Sequence, residues 1–264
     1  MPFDWLRKRR RKKLLEQPFP DEWLEILREN TAHWQWLDAA EQALLRDLVQ
    51  VFVAEKAWEG CGGLTLTDEI QVTIAADACL LLLGLPHDLY DSVQTILVYP
   101  STVISPQRQL GFFEVATAPL SGGRPVIGEA HLRGPVILSW DAVRRGARHP
   151  ERGHNVVFHE FAHKLDMLDS YADGTPPLAS RADYKRWGEV FSASFNALRA
   201  EAEQGEPTLL DPYGATNEAE FFAVATETFF NLPLKLREGE LALYELLAEF
   251  YQQDPAARVE RRAG

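Results

Sequence analysis

The sequence predicts a domain of the α+β class, in which helices frame a small mixed sheet. Apolar residues recur at helical spacing along most of the chain, whereas two short segments, 95–99 and 135–140, are apolar and rich in β-forming residues. The 264 residues contain no internal repeat and no long linker, and a chain of this length can bury one substantial core. We therefore expect a single folded domain.

Each helix is predicted from apolar residues three or four positions apart and from the capping or breaking residues at its ends. In chain order, the predicted helices cover residues 21–29, 38–58, 67–83, a segment that begins near Asn155, 184–204, 217–230 and 240–252. Gly60 ends the second of these and Gly84 the third. Asn155 is the expected N-cap of the fourth, because an asparagine side chain can accept hydrogen bonds from the first free N–H groups of a helix.

Charge is unevenly distributed along the chain. The formal net charge is −12 at pH 7, but residues 7–13 are seven consecutive arginines and lysines, so the rest of the chain carries −19. An acidic body repels the phosphate backbone, and we expect no direct nucleic-acid binding. The basic run could contact nucleic acid, an acidic lipid surface or the protein's own acidic face, and otherwise forms a solvated tail.

No segment has the pattern of a membrane span or a disulfide framework. The longest apolar run, 75–85, contains Asp77 and is shorter than the roughly 18 residues that cross a bilayer. The basic N-terminus lacks the apolar stretch of a secretory signal. Two cysteines, Cys61 and Cys79, are too few for a disulfide scaffold and favour free thiols in a reducing compartment. We therefore expect a cytoplasmic protein.

Residues 159–163 read His-Glu-Phe-Ala-His, an HExxH motif. In a helix, residues four apart lie on one face, so His159 and His163 can hold the same metal ion. Glu160 then lies beside that ion, where a carboxylate can take a proton from a bound water. Apolar residues flank the motif on both sides, which predicts a buried helix whose ionisable groups need partners. The pattern indicates a hydrolytic metal site, with zinc as the expected ion.

Such a site needs a third protein ligand. Asp169 lies ten residues after His159. One class of zinc enzymes with an HExxH motif places its third ligand at this distance from the first histidine. That arrangement requires the helix to break at position 166, normally through glycine. Asp166 stands there instead and is better suited to accept a hydrogen bond from a ligand histidine.

The predicted helix at 217–230 offers further carboxylates. Glu220 and Glu227 are seven residues apart and share one face, whereas Glu218 points elsewhere. A glutamate on a following helix completes the metal site in thermolysin-type enzymes. The spacing therefore favours Glu220 or Glu227 as the third ligand without separating the two.

Four segments resemble the Mlc titration factor A family of bacterial zinc metallopeptidases. They are HEFAHKLDMLD at 159–169, DPYGATNEAEFFAVATETFF at 211–230, GPVILSW at 134–140 and FYQQDP at 250–255. These segments lie far apart in the chain, so the resemblance is to the whole protein. The second segment also resembles the catalytic core of anthrax lethal factor, in which a tyrosine stands seven residues before the ligand glutamate.

The resemblance implies a zincin-like metallopeptidase fold that holds one zinc ion per chain. It implies His159, His163 and Glu220 as metal ligands, Glu160 as the catalytic base and Tyr213, which stands seven residues before Glu220, as a catalytic helper. A phenol hydroxyl at that place could hydrogen-bond the oxyanion that develops during hydrolysis. The alternative for Tyr213 is a turn aromatic that packs on the next helix.

With Glu220 as the ligand, Glu227 is left to hold a ligand or the pair of helices in place. The expected metallopeptidase domain covers residues 21–255, with an N-terminal helical part at 21–85 and a catalytic part at 86–255. Residues 1–20 are expected to form a basic, flexible N-terminal tail, and residues 256–264 a C-terminal tail.

Two functions are implied by the resemblance. The first is a cytoplasmic, aminopeptidase-like zinc metallopeptidase that hydrolyses small peptide substrates by metal-activated water and also binds the Mlc-type repressor of glucose phosphotransferase genes. The alternative is a regulatory protein that sequesters a transcriptional repressor, with peptidase activity secondary or gated. The sequence leaves the preferred substrate, and the choice between exo- and endopeptidase action, open.

Overall fold

Helices surround three short parallel strands in the computed structural model, which describes residues 4–101 and 134–263. The strands are β1 (Ala57–Gly60), β2 (Thr95–Tyr99) and β3 (Val136–Ser139), in the order β1-β2-β3. Trp58 pairs with Ile96, and Ile96 pairs with Val136. The α+β organisation agrees with the prediction. The sheet was predicted to be mixed, whereas these three strands are all parallel.

The helices, in chain order, are α1 (Asp4–Leu15), α2 (Asp21–Asn30), α3 (Ala39–Glu55), α4 (Asp68–Leu80), α5 (Trp140–Arg148), α6 (Val156–Asp166), α7 (Arg181–Gln204), α8 (Glu218–Asn231), α9 (Pro233–Gly239), α10 (Leu241–Tyr251) and α11 (Pro255–Ala263). The predicted helices correspond to α2, α3, α4, α6, α7, α8 and α10. Asn155 caps α6 as predicted, because its side chain accepts from Val157 N and Phe158 N.

The predicted boundaries are wrong where pairing with distant residues decides the structure. The helix predicted over 38–58 ends at Glu55, and the residues that follow it form β1, because they hydrogen-bond to β2. Trp140, which the pattern places at the end of a strand, begins α5. The short helix α9 was not predicted.

Both predicted tails contain helices that are tied to the rest of the fold. In α1, the Arg11 guanidinium donates to the Glu55 carboxylate at 2.8 and 2.6 Å and to Asp91 at 3.0 Å. Three kinds of partner were considered for the basic run. The contacts of Arg11 show one of them, the protein's own acidic residues. Helix α11 covers most of residues 256–264, and its buried Arg258 donates to Glu41 at 2.8 Å.

The core is centred on α6, which packs against α8 and against α4 and β3. Phe158 lies against Phe230, with ring centroids 5.4 Å apart, and Phe161 lies against Tyr90 at 4.8 Å. Phe158 immediately precedes the His159–Glu160 pair in the helix, and Phe161 immediately follows it. The packing of these two rings fixes the axis of α6. Across residues 4–101 and 134–263, no helix combines the length and apolar character needed to cross a membrane.

Candidate metal centre

Helix α6 presents its two histidines side by side. His159 is 2% exposed, and its ring centroid lies 4.9 Å from that of His163, with the ring planes nearly perpendicular. The four-residue spacing places both rings on the same face. The Asn155 cap and the surrounding apolar core fix where this face points.

Helix α8 brings a carboxylate to the same place. Asn217 caps α8 by accepting from Glu220 N at 3.0 Å, which places Glu220 in the first turn. Glu220 Oε2 lies 3.0 Å from His159 Nε2 and 3.4 Å from His163 Nε2. In the part of the chain that the structure describes, these three residues are the one group of metal-ligating side chains close enough to share an ion.

Glu227 approaches the other side of the His159 ring. Its Oε1 lies 2.8 Å from His159 Nδ1, and its Oε2 accepts from the Asn155 backbone N–H at 2.5 Å. A carboxylate at Nδ1 favours the tautomer with the proton on Nδ1, which leaves the Nε2 lone pair available to an ion. Glu227 is therefore the residue that orients His159.

The carboxylates give the site an excess of negative charge. Burial by itself would lower the pKa of His159, but hydrogen bonds with Glu220 and Glu227 raise this pKa to about 10. Burial would raise the pKa of Glu220, whereas its hydrogen bonds with His159 and His163 lower this pKa well below its ordinary value. The two glutamates thus favour positive charge at the imidazoles, which a proton or a divalent cation can supply.

The three donors fit a metal ion. Around an ion with ligand bonds of about 2.1 Å and tetrahedral angles, neighbouring ligand atoms lie about 3.4 Å apart. The distances from Glu220 Oε2 to the two Nε2 atoms, 3.0 and 3.4 Å, are close to that separation. Two neutral imidazoles and a carboxylate also form a donor set that holds first-row divalent metals.

Glu160 and Tyr213 lie next to this group. Glu160 follows His159 in α6 and is half-buried. Tyr213 belongs to a 3₁₀ turn, Pro212–Ala215, that precedes α8, and its ring centroid lies 6.1 Å from that of His159. Asp211 holds this turn by accepting from Tyr213 N at 2.8 Å. The structure therefore brings together all five residues implied by the resemblance.

The other carboxylates considered as ligands have different positions. Asp169 is exposed and accepts from Tyr171 N at 3.0 Å, and Glu218 is exposed at the start of α8. Asp166 accepts from Gly174 N at 3.0 Å rather than from a ligand histidine. Burial raises the pKa of Asp166 to about 6. The carboxylate that contacts His159 is Glu227, the residue expected to hold a histidine in place when Glu220 is taken as the third ligand.

One residue linked to the site was missed by the sequence reasoning. Asp77, in α4, is fully buried and its Oδ2 accepts from Asn155 Nδ2 at 2.7 Å. Its only indication in the sequence is that it is the single charged residue of the apolar run 75–85. A buried charge needs a partner, but the sequence does not reveal which residue that is.

An HExxH helix, a glutamate from a later helix and a carboxylate beside the first histidine define a site of the metallopeptidase class. The chain belongs to the glucose-regulated metallo-peptidase M90 family, whose sequence model matches residues 5–252. Membership of this family implies a metal cofactor, and His159, His163 and Glu220 are the group in the structure that fits one.

Relatives of known name confirm the resemblance predicted from the sequence. Mlc titration factor A of Serratia proteamaculans is 34% identical over 229 residues, which are 85% of this chain and 85% of the relative. The protein of the same name from Yersinia pestis is 32% identical over 232 residues, covering 85% and 82% of the two chains. An uncharacterized protein of Synechocystis sp. is 37% identical over 260 residues, covering 96% and 90%.

Proposed function

We propose that this protein is a zinc-dependent metallopeptidase that cleaves small peptides in an aminopeptidase-like manner. The observation that carries the proposal is the convergence of His159, His163 and Glu220 on one point, with ligand atoms all within 4.8 Å of one another. Two imidazoles and one carboxylate that leave a coordination position open are typical of catalytic zinc sites. Membership of a metallopeptidase family supports the same reaction class.

In this proposal His159, His163 and Glu220 hold the ion, and Glu160 carries the proton. Zinc bound there would lower the pKa of a water molecule and polarise the scissile carbonyl. Glu160 takes a proton from the water as its oxygen bonds to the carbonyl carbon, and passes a proton to the amine nitrogen as the C–N bond breaks. Glu160 then returns to its starting state, and the products are a carboxylic acid and an amine.

Tyr213 is proposed to stabilise the oxygen of the scissile carbonyl. As negative charge accumulates on that oxygen, the phenol hydroxyl can donate a hydrogen bond to it. The position of Tyr213 supports this role, because its ring lies beside that of His159 on the turn that leads into the Glu220 helix.

A Glu160→Gln variant tests the enzyme proposal. We expect it to keep zinc and to lose a factor of about 10² to 10⁴ in the hydrolysis of aminoacyl p-nitroanilides, since a general base contributes about that much. Glu218→Gln, which removes an exposed carboxylate, is the matched control and should retain wild-type activity. If zinc-loaded wild-type protein shows no hydrolysis that depends on Glu160, the protein is not this kind of peptidase.

We further propose that the protein binds an Mlc-type transcriptional repressor, because the relatives from Serratia and Yersinia are named Mlc titration factor A. The alternative is a regulatory protein that sequesters such a repressor, with peptidase activity secondary or gated. Pull-down of a purified Mlc repressor by wild-type protein and by Glu160→Gln separates these functions. Equal binding by both proteins would show that binding is independent of catalysis, and binding by neither would refute the regulatory role.

A cytoplasmic location is part of the proposal. Cys61 is half-buried and Cys79 is buried, and both are free thiols, which suits a reducing compartment. Cell fractionation of the tagged, full-length chain measures the location directly. Recovery with the periplasmic or membrane fraction would contradict it.

A further inference from the structure

A chain of buried hydrogen bonds leads from α4 to the metal centre. Asp77 Oδ2 accepts from Asn155 Nδ2 at 2.7 Å, and the Asn155 backbone N–H donates to Glu227 Oε2 at 2.5 Å. Glu227 Oε1 in turn lies 2.8 Å from His159 Nδ1. Residues on three different helical segments are thereby linked to one imidazole.

Each member of this chain is shielded from water. Asp77 is 0% exposed, Asn155 and Glu227 are 1% exposed, and His159 is 2% exposed. Solvent therefore cannot readily replace a lost partner, and a buried polar group without one costs about 1–3 kcal/mol. The positions of these groups are consequently interdependent.

Asn155 is the link that transmits the position of Asp77. Its amide oxygen accepts from Val157 N at 2.9 Å and from Phe158 N at 3.1 Å, while its amide nitrogen donates to Asp77. An amide turned by 180° would place its oxygen against the Asp77 carboxyl and its NH₂ group against two N–H donors. Asp77 therefore selects the one amide orientation that caps α6.

The same cap determines where the Asn155 backbone lies. Its N–H points at Glu227, so a displaced cap would lengthen the 2.5 Å bond to that carboxylate. A displaced Glu227 would release the His159 ring, whose orientation the 2.8 Å contact at Nδ1 defines.

We infer that Asp77 is a positioning residue of the metal centre, which acts through Asn155 and Glu227 on the orientation of His159. The inference rests on the proposed function, in that His159 must be a metal ligand. This series of hydrogen bonds requires residue 77 to provide an acceptor that faces Asn155 Nδ2. An asparagine can provide that acceptor, and a leucine of similar size cannot.

Zinc affinity of three variants tests this role. Asp77→Leu should bind zinc about 10-fold more weakly than wild type in competition with a chromophoric chelator, whereas Asp77→Asn should stay within about threefold. Thr73→Val is the matched control, because Thr73 is equally buried on α4 and accepts from Asn30 at 3.0 Å, away from the site. If Thr73→Val and Asp77→Leu weaken zinc binding alike, α4 acts only as general support and the inference is wrong.

The ring of His159 provides a readout that needs no metal. In ¹⁵N NMR of the metal-free full-length protein, Asp77→Leu should shift the imidazole nitrogens of His159, and Asp77→Asn should restore the wild-type pattern. Unchanged nitrogens in Asp77→Leu would overturn the inference. Absence of zinc binding in wild type would instead contradict the proposed function, and the NMR comparison would still decide the role of Asp77.

Should Asp77→Leu fail to fold, Asn155→Ser tests the same link from its other end. Serine keeps a capping oxygen for α6 but has no NH₂ group for Asp77. We expect zinc binding about 10-fold weaker than wild type and shifted His159 nitrogens. Wild-type values of both quantities would refute the link.

Discussion

Glu227→Gln gives the sharpest test of how the metal centre is held. Glu227 is 1% exposed and faces two groups, His159 Nδ1 at 2.8 Å and Asn155 N–H at 2.5 Å. A carboxylate can accept from both, but a glutamine has one accepting oxygen and one donating NH₂ group. In either orientation the NH₂ group of the variant therefore faces a group that donates in the wild-type protein.

The two orientations have different consequences. If the NH₂ group faces His159, Nδ1 must accept, and the proton moves to Nε2, the atom that faces Glu220. If it faces Asn155, a buried N–H loses its acceptor, which costs about 1–3 kcal/mol of the free energy of unfolding. Loss of a carboxylate behind a ligand histidine typically weakens metal binding 10- to 100-fold, or about 1.4–2.7 kcal/mol.

The assay is zinc competition against a chelator indicator, combined with urea denaturation of the metal-free protein. Glu218→Gln controls for loss of a carboxylate on the same helix, since Glu218 is exposed, and should leave both quantities unchanged. A folded Glu227→Gln protein with zinc affinity within twofold of wild type would refute the reasoning, because His159 would then be oriented without Glu227.

Three further changes test other parts of the structure. Tyr213→Phe should lower kcat for aminoacyl reporters by about 10²-fold while leaving zinc affinity unchanged; a kcat within threefold of wild type would leave Tyr213 as a packing residue. Burial raises the pKa of Asp77 from 3.8 to about 7, so the stability contributed by its protonated carboxyl is complete below about pH 4 and is lost as the pH rises through 7. The free energy of unfolding of metal-free protein should therefore fall by about 2–3 kcal/mol more between pH 5 and pH 8 than that of Asp77→Asn, and parallel profiles in urea denaturation would contradict the assignment. Gly174→Ala places a Cβ 2.4 Å from Glu218 O at a φ of +75°. It should lower the free energy of unfolding by about 2 kcal/mol more than Gly205→Ala does, because Gly205 has a φ of +70° but no atom within 4 Å of the added Cβ. Equal losses in urea denaturation would show that the contact at residue 174 is relieved without strain.

The HExxH helix and its partner helix could be predicted because their determinants are local. Asn155 lies immediately before the first turn that it caps, and the apolar residues around His159 have helical spacing within one segment. The Glu220 and Glu227 pair was predicted from the same periodicity. Local rules were sufficient for these elements because their local preferences agree with the packing of the fold.

The remaining elements depend on residues that are distant in sequence. Residues 57 and 58 were predicted as the end of a helix, but they belong to β1, which pairs with β2. The basic segment was expected to be a flexible tail. It contains α1, which is held by Glu55 and Asp91, 44 and 80 residues from Arg11. The bond between Asp77 and Asn155 spans 78 residues. Spacing along one segment contains no information about such pairings.

Both glutamates that the sequence could not separate, Glu220 and Glu227, contact the ring of His159. Seven residues advance a helix by about 10 Å along its axis and return to nearly the same face. This advance allows α8 to place one carboxylate at each nitrogen of the His159 ring, Glu220 at Nε2 and Glu227 at Nδ1. Burial distinguishes the two glutamates, because the Glu227 side chain is 2% exposed and the Glu220 side chain is 19% exposed. Glu220 Oε2 also lies 3.4 Å from His163 Nε2. The periodicity that makes the glutamates indistinguishable in the sequence is thus the reason that both reach one imidazole. Only Glu220, which also lies near His163, belongs to the group of side chains that could hold a metal ion.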